Sequence, residues 1–112
     1  MQRRVYFALV LAGICFTACA AWAANVDIDV KVQKGKVISG AGVVKLARGD
    51  HVSLRVASDR PEKLHIHGYD LHLDVAADRP AKLDFDADRT GRFAVEFHAS
   101  DLQLVVLEIY PK

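Results

Sequence analysis

Leu64-His65-Ile66-His67-Gly68-Tyr69-Asp70-Leu71-His72-Leu73 holds three of the five histidines in a chain of 112 residues. Leu64 and Ile66 alternate with His65 and His67, Gly68 breaks the run, and alternation resumes at Leu71, Leu73 and Val75. The pattern predicts strand, tight turn, strand. Side chains two apart on a strand share a face, so His65 and His67 lie side by side near the end of one strand. Two neighbouring imidazoles beside a turn can hold a metal ion. They can equally be polar positions on the outside of a sheet.

The same alternation extends in both directions. Asn25-Val26-Asp27-Ile28-Asp29-Val30-Lys31-Val32 puts Val and Ile on one face and charge on the other, as a half-buried strand does. Lys34-Gly35-Lys36 turns the chain, Ser39-Gly40-Ala41-Gly42 is a flexible connection, and Val43-Val44-Lys45-Leu46 is a second short strand. His51 to Val56 turns Val52, Leu54 and Val56 inward, and Phe93 to His98 turns its aromatics inward and Glu96 outward. Leu102 to Tyr110 is the most apolar run after the N-terminal segment, so its first half is expected to be buried on both sides. Asp59-Arg60-Pro61 and Asp78-Arg79-Pro80 open matching segments, with Asp88-Arg89-Thr90 a weaker third copy. Asp starts such turns by bonding its own backbone downstream and Pro presets φ, so the Asp-Arg pairs read as solvated turn residues.

No long stretch keeps the helical period. Short strands at regular spacing, separated by Gly and Pro turns, predict an all-β fold. The expected closure is a Greek-key antiparallel β-sandwich of about seven or eight strands. Its expected core is Ile28, Val30, Leu54, Val56, Leu73, Leu83, Phe85, Phe93, Val95, Phe97, Leu107 and Ile109.

Residues 1–23 read as a cleavable signal peptide. Arg3 and Arg4 form a positive start, Val5 to Ala20 is almost wholly apolar, and Ala21-Trp22-Ala23 supplies the small-x-small cleavage pattern. Residues 24–112 then form the domain, with Ala24 first. A second reading takes Phe16-Thr17-Ala18-Cys19 as a lipoprotein signal in which Cys19 is lipidated. Either reading makes the domain periplasmic or secreted, with no transmembrane segment in the mature chain. Cys15, Cys19 and the single methionine, Met1, all fall within this segment. The mature domain therefore has no disulfide and no soft sulfur ligand.

Losing Arg3 and Arg4 lowers the basic count from 15 by two against 14 acids, for a net charge of about −1 with neutral histidine. That balance argues against nucleic acid and against an anionic membrane surface as partners. Ser39, Ser53, Ser58 and Ser100 lack a nucleophile elbow, and no Gly-rich loop opens a helix. The chain reads as a binding module, not an enzyme.

Three segments carry a resemblance to a known family: Arg48-Gly49-Asp50-His51-Val52-Ser53-Leu54, His65-x-His67-Gly68-Tyr69-Asp70-Leu71, and Gly91-x-Phe93 running into a short loop and a final hydrophobic strand. Together they resemble the cupredoxin superfamily, and most closely the small secreted bacterial cupredoxin-like domains that occur alone or fused to periplasmic iron-uptake proteins. His67-Gly68-Tyr69 is similar to the His-Gly/Ser-aromatic segment of the copper domains of nitrous oxide reductase and cytochrome oxidase subunit II, where the corresponding His binds copper. Copper cupredoxins also carry a Cys at the end of the penultimate strand. This chain has Phe97-His98 there, followed by the short loop Ala99-Ser100-Asp101-Leu102-Gln103. A blue, type 1 copper needs that thiolate, so composition excludes it.

The resemblance implies that His67 and His98 meet at the ends of two strands, with His65 in reach of the same ion. Asp70 and Asp101 in adjacent loops are the expected oxygen donors. Imidazole with oxygen suits Cu(II), Ni(II) or Zn(II), and Cu(II) binds most tightly at a given nitrogen site. His72 alternates with Leu71 and Leu73 and reads as outward surface, as does His51 in its turn. Tyr69 reads as a packing aromatic at the end of the sandwich. Two functions are open at this point. One is a module that holds or delivers a metal ion, copper first, to an unidentified periplasmic protein partner. The other is a metal-free scaffold acting as a protein-interaction or envelope module.

Overall fold

The computed structural model describes Gly13, residues 22–40 and residues 42–112. Cys15, Cys19 and most of the expected signal peptide lie outside the described residues, as does Ala41. Among the described residues no helix is long and apolar enough to cross a membrane.

Among the described residues nine strands form two sheets: β1 Asn25–Gln33, β2 Lys36–Ser39, β3 Gly42–Ala47, β4 His51–Ser58, β5 Glu62–Ile66, β6 Leu71–Val75, β7 Ala81–Asp86, β8 Gly91–Phe97 and β9 Gln103–Tyr110. One sheet has the order β2-β1-β4-β7 and the other β3-β9-β8-β5-β6. The all-β sandwich expected from the alternation is present. Its sheets are mixed, however, because β1 runs parallel to β4 and β3 runs parallel to β9. Alternation specifies which face of a strand is buried and leaves the direction of its neighbour open. The two-residue turn Lys34-Gly35, with φ of 50° and 73°, is the left-handed kind that matches strand twist and joins β1 to β2.

The two apolar faces meet in one core. Leu54, Leu64, Ile66, Leu104, Leu107 and Phe97 are its largest fully buried side chains. Each contributes about 1.5–3 kcal/mol of transfer free energy on burial. Leu73, Leu83 and Phe93, expected inside, pack on the core from partly buried positions. In β9 the run Leu104-Val105-Val106-Leu107 is buried throughout, as its apolar sequence implies. The β8–β9 register shifts between Val95↔Val105 and Glu96↔Gln103, so Leu104 is the extra residue of a bulge, and it joins Val105 and Leu107 in the core.

Candidate metal centre

The parity of β5 decides what the outer face of the five-stranded sheet carries. Leu64 and Ile66 point into the core, so Lys63 and His65 point out. The register sets His72 of β6 opposite His65 on one side and Glu96 of β8 opposite it on the other. The His65 and His72 rings stack with centroids 4.6 Å apart and planes 3° from parallel. His67 lies next along the chain, its ring 4.6 Å from that of His65 and tilted by 49°. The His67 Nε2 atom pairs with the Glu96 carboxylate. Asp70, in the turn, brings Oδ1 to 3.6 Å from His72 Nε2. One donor atom each from His65, Asp70 and His72 lies within 4.8 Å of the others.

The turn that holds this cluster is built around a missing Cβ and a buried aromatic ring. Gly68 has φ +83°, and a Cβ there would sit 2.5 Å from Phe93 Cδ1. Phe93 stands edge-on to Tyr69 at 5.0 Å, and Tyr69 meets Phe85 edge-on at 5.6 Å. The Tyr69 hydroxyl accepts the Arg89 N–H at 3.1 Å and donates to the Arg89 carbonyl at 3.2 Å. Arg89 also donates from its guanidinium to the Gly68 carbonyl and lies 5.6 Å over the Tyr69 ring. Tyr69 is thus the packing aromatic that the sequence suggested. Arg89 is exposed, as expected of a turn residue, and it also clasps the tip of the β5–β6 hairpin.

Electrostatics favour the metal-binding form of His65. Partial desolvation, then repulsion by His72 and His67, holds its pKa below the ordinary histidine value. A neutral imidazole is the form that coordinates metal. The outer face of the other sheet is arranged differently. There Ser53 Oγ donates to Asp84 Oδ1 at 2.6 Å, which holds the Asp84 carboxyl below its usual range, and His51 Nδ1 lies 2.8 Å from Asp86 Oδ1.

The structure divides the residues expected at the site. His65 and Asp70 converge, and His67 is beside them but engaged by Glu96. His98 and Asp101 are not among the three donors that converge. The His67 N–H bonds the Ala94 carbonyl and the His98 N–H bonds the Lys63 carbonyl. Four residues of paired strand, about 13 Å, therefore separate His67 from His98. His98 instead lines a shallow groove with Pro61, Glu62, Lys63, Asp74 and Val75. His72, read as plain surface, does point outward, but onto the same outward face as His65. The hairpin itself carried the signal: a turn centred on Gly68-Tyr69 pairs Ile66 with Leu71, and therefore His65 with His72.

No protein-family model and no curated protein matches the chain. Solved structures do. A chain of a heme-copper terminal oxidase dimer superposes with a TM-score of 0.59 at 16% identity, over 75% of this chain and 64% of that one. The multicopper oxidase mgLAC gives 0.58 at 18% identity, over 80% of this chain and 40% of that one. The Cu-containing nitrite reductase NirK from Thermus scotoductus SA-01 gives 0.59 at 18% identity, over 80% and 28%. This chain therefore spans less than two thirds of each of those chains. The fold is cupredoxin-like, and these structural neighbours are cupredoxin-fold proteins. Composition sets this chain apart from a blue-copper protein, because it has no cysteine after Cys19.

Proposed function

We propose that the domain is an exported cupredoxin-fold module that binds one Cu(II) ion at a non-blue site and holds or delivers it. His65 and His72 supply the nitrogen donors and Asp70 an oxygen donor, while His67 beside them pairs with Glu96. The observation that carries this reading is the convergence of three donor atoms within 4.8 Å on one outward face. Donors bound about 2 Å from a common ion lie up to about 4 Å apart, so a small side-chain rotation completes the site. His72 and Asp70 have that freedom, with side chains 66% and 98% exposed. Export rests on residues 1–23, and the absence of thiolate makes the bound ion colourless or faintly coloured. The role is binding, with no chemistry of the domain's own.

The test is a Cu(II) titration of the purified domain at neutral pH, followed by electron paramagnetic resonance. One equivalent should bind with a tetragonal signal split by nitrogen and no intense thiolate absorption. His65→Ala and His72→Ala should each weaken binding at least about tenfold, the scale on which a single interaction of 1.4 kcal/mol acts. His98→Ala and His51→Ala should leave it unchanged. If copper fails to bind, or binds equally well to the His65→Ala, His72→Ala double variant, the metal reading is wrong and the metal-free scaffold takes its place.

A further inference from the structure

Among the described residues Asp50 is the only charged side chain that is buried, with 7% of its surface exposed. It sits immediately before β4. Its Oδ2 accepts the Ala47 N–H at 2.9 Å, and its Oδ1 accepts the Ala24 N–H at 3.1 Å. Among the described residues no cationic side chain pairs with it. Lys112 Nζ lies beside Gly49 without reaching that carboxylate, and His51 faces Asp86 instead. A buried carboxylate held only by neutral donors lacks the counterion that normally offsets its desolvation.

Ala24 is held from both sides. Its carbonyl accepts the His51 N–H at 2.8 Å while its own nitrogen meets Asp50. It thereby extends the parallel β1–β4 pairing by one residue, from Asn25↔His51. Two residues upstream, Trp22 is 87% exposed. The nitrogen beside the buried carboxylate is also the one that the Ala21-Trp22-Ala23 pattern would release.

We propose that processing supplies the missing counterion: once the signal peptide is removed, the α-ammonium of Ala24 pairs with the buried Asp50 carboxylate and pins the start of β1 against β4. The proposal rests on reading residues 1–23 as a cleaved signal. Hydrolysis of the Ala23–Ala24 bond consumes one water, leaves a carboxylate on Ala23, and leaves on Ala24 an amine that takes up a proton at neutral pH. Before cleavage the position offers one neutral N–H. Afterwards it offers a charged donor at the same place, and charge-assisted hydrogen bonds are roughly twice as strong as neutral ones. Cleavage ahead of a lipidated Cys19 would leave Ala24 within the chain as a peptide, without this pairing. Processing is in this view the last step of folding as well as of export.

The protein exported from cells expressing the full chain provides the test. N-terminal sequencing identifies its first residue, and a start other than Ala24 removes both the signal reading and the proposal. With Ala24 first, acetic anhydride at limiting concentration labels the α-amine, followed by mass spectrometry, in native buffer and in urea. An ammonium held one pKa unit above its free value reacts about tenfold more slowly at neutral pH. Native Ala24 should therefore label at least about tenfold more slowly than the unfolded chain, and Asp50→Asn should abolish most of that protection. The His51 amide should also exchange with deuterium more slowly in the processed protein than in an uncleaved form, a readout that needs no Asp50 variant. Equal labelling in native buffer and urea with Ala24 first would leave the signal reading standing and overturn the pairing. Protection that survives Asp50→Asn would overturn it too.

Discussion

Gly68 stands where the sequence pattern, the turn and the candidate ligands meet. Its left-handed backbone and the Phe93 ring 2.5 Å from any added Cβ leave room for no other residue without movement. Gly68→Ala should cost about 1–3 kcal/mol by overpacking, measured as a lower denaturant midpoint, and should weaken Cu(II) binding by shifting Asp70. Tyr69→Phe removes the hydroxyl that exchanges two hydrogen bonds with Arg89 and should cost about 0.5–1.5 kcal/mol, with copper affinity nearly intact. The comparison separates the tip's stability from its shape. The packing role of Tyr69 was legible as an aromatic beside a turn glycine. The part played by Arg89 was not, because Tyr69 and Arg89 are far apart in the chain and no local pattern links them.

At the scale of the strands, alternation identified the inner and outer faces of β1, β4, β5 and β8. It did not reveal who pairs with whom. Phe97 is fully buried in β8 and Val95 fills the position two residues earlier. Phe97→Ala should lose about 3–5 kcal/mol and Val95→Ala less, read from chemical denaturation of both variants side by side. An unchanged midpoint for Phe97→Ala would show that this strand is not packed as described. The placement of His98 teaches the complementary point. It is an outward residue of the same sheet as His67, yet the β5–β8 register leaves it at the opposite end. Register is a property of two strands together, so the family likeness of His67 could suggest His98 as a partner without setting the two side by side. His72 was within reach of reasoning, because a hairpin register follows from its turn.

For the molecule as a whole, the crowding of imidazoles on one face has a pH signature. His65 has a folded pKa below its ordinary value, first through partial desolvation and then through His72 and His67. The unfolded chain keeps the ordinary value and therefore binds more protons as pH falls through the histidine range. Stability must fall in that direction, with this contribution fully present above about pH 6.5 and lost below it. Thermal melts of the metal-free protein across that window should show the midpoint dropping on acidification, and His65→Ala should flatten the change. A midpoint that rises on acidification would mean that His65 is stabilised in its charged form instead.

The donors assigned to copper all belong to one hairpin, from His65 to His72. A site stitched from distant strands exists only once the sandwich has closed. A site written into eight successive residues can begin to form when only the hairpin does, since bringing its ends together costs little loop entropy. An ion with affinity for the unfolded chain stabilises the native one by less than its native affinity implies. Copper should therefore raise the melting temperature of this domain by less than its native affinity alone implies. A site of this kind is local to one hairpin, and its loading is read by the hairpin before it is read by the two sheets.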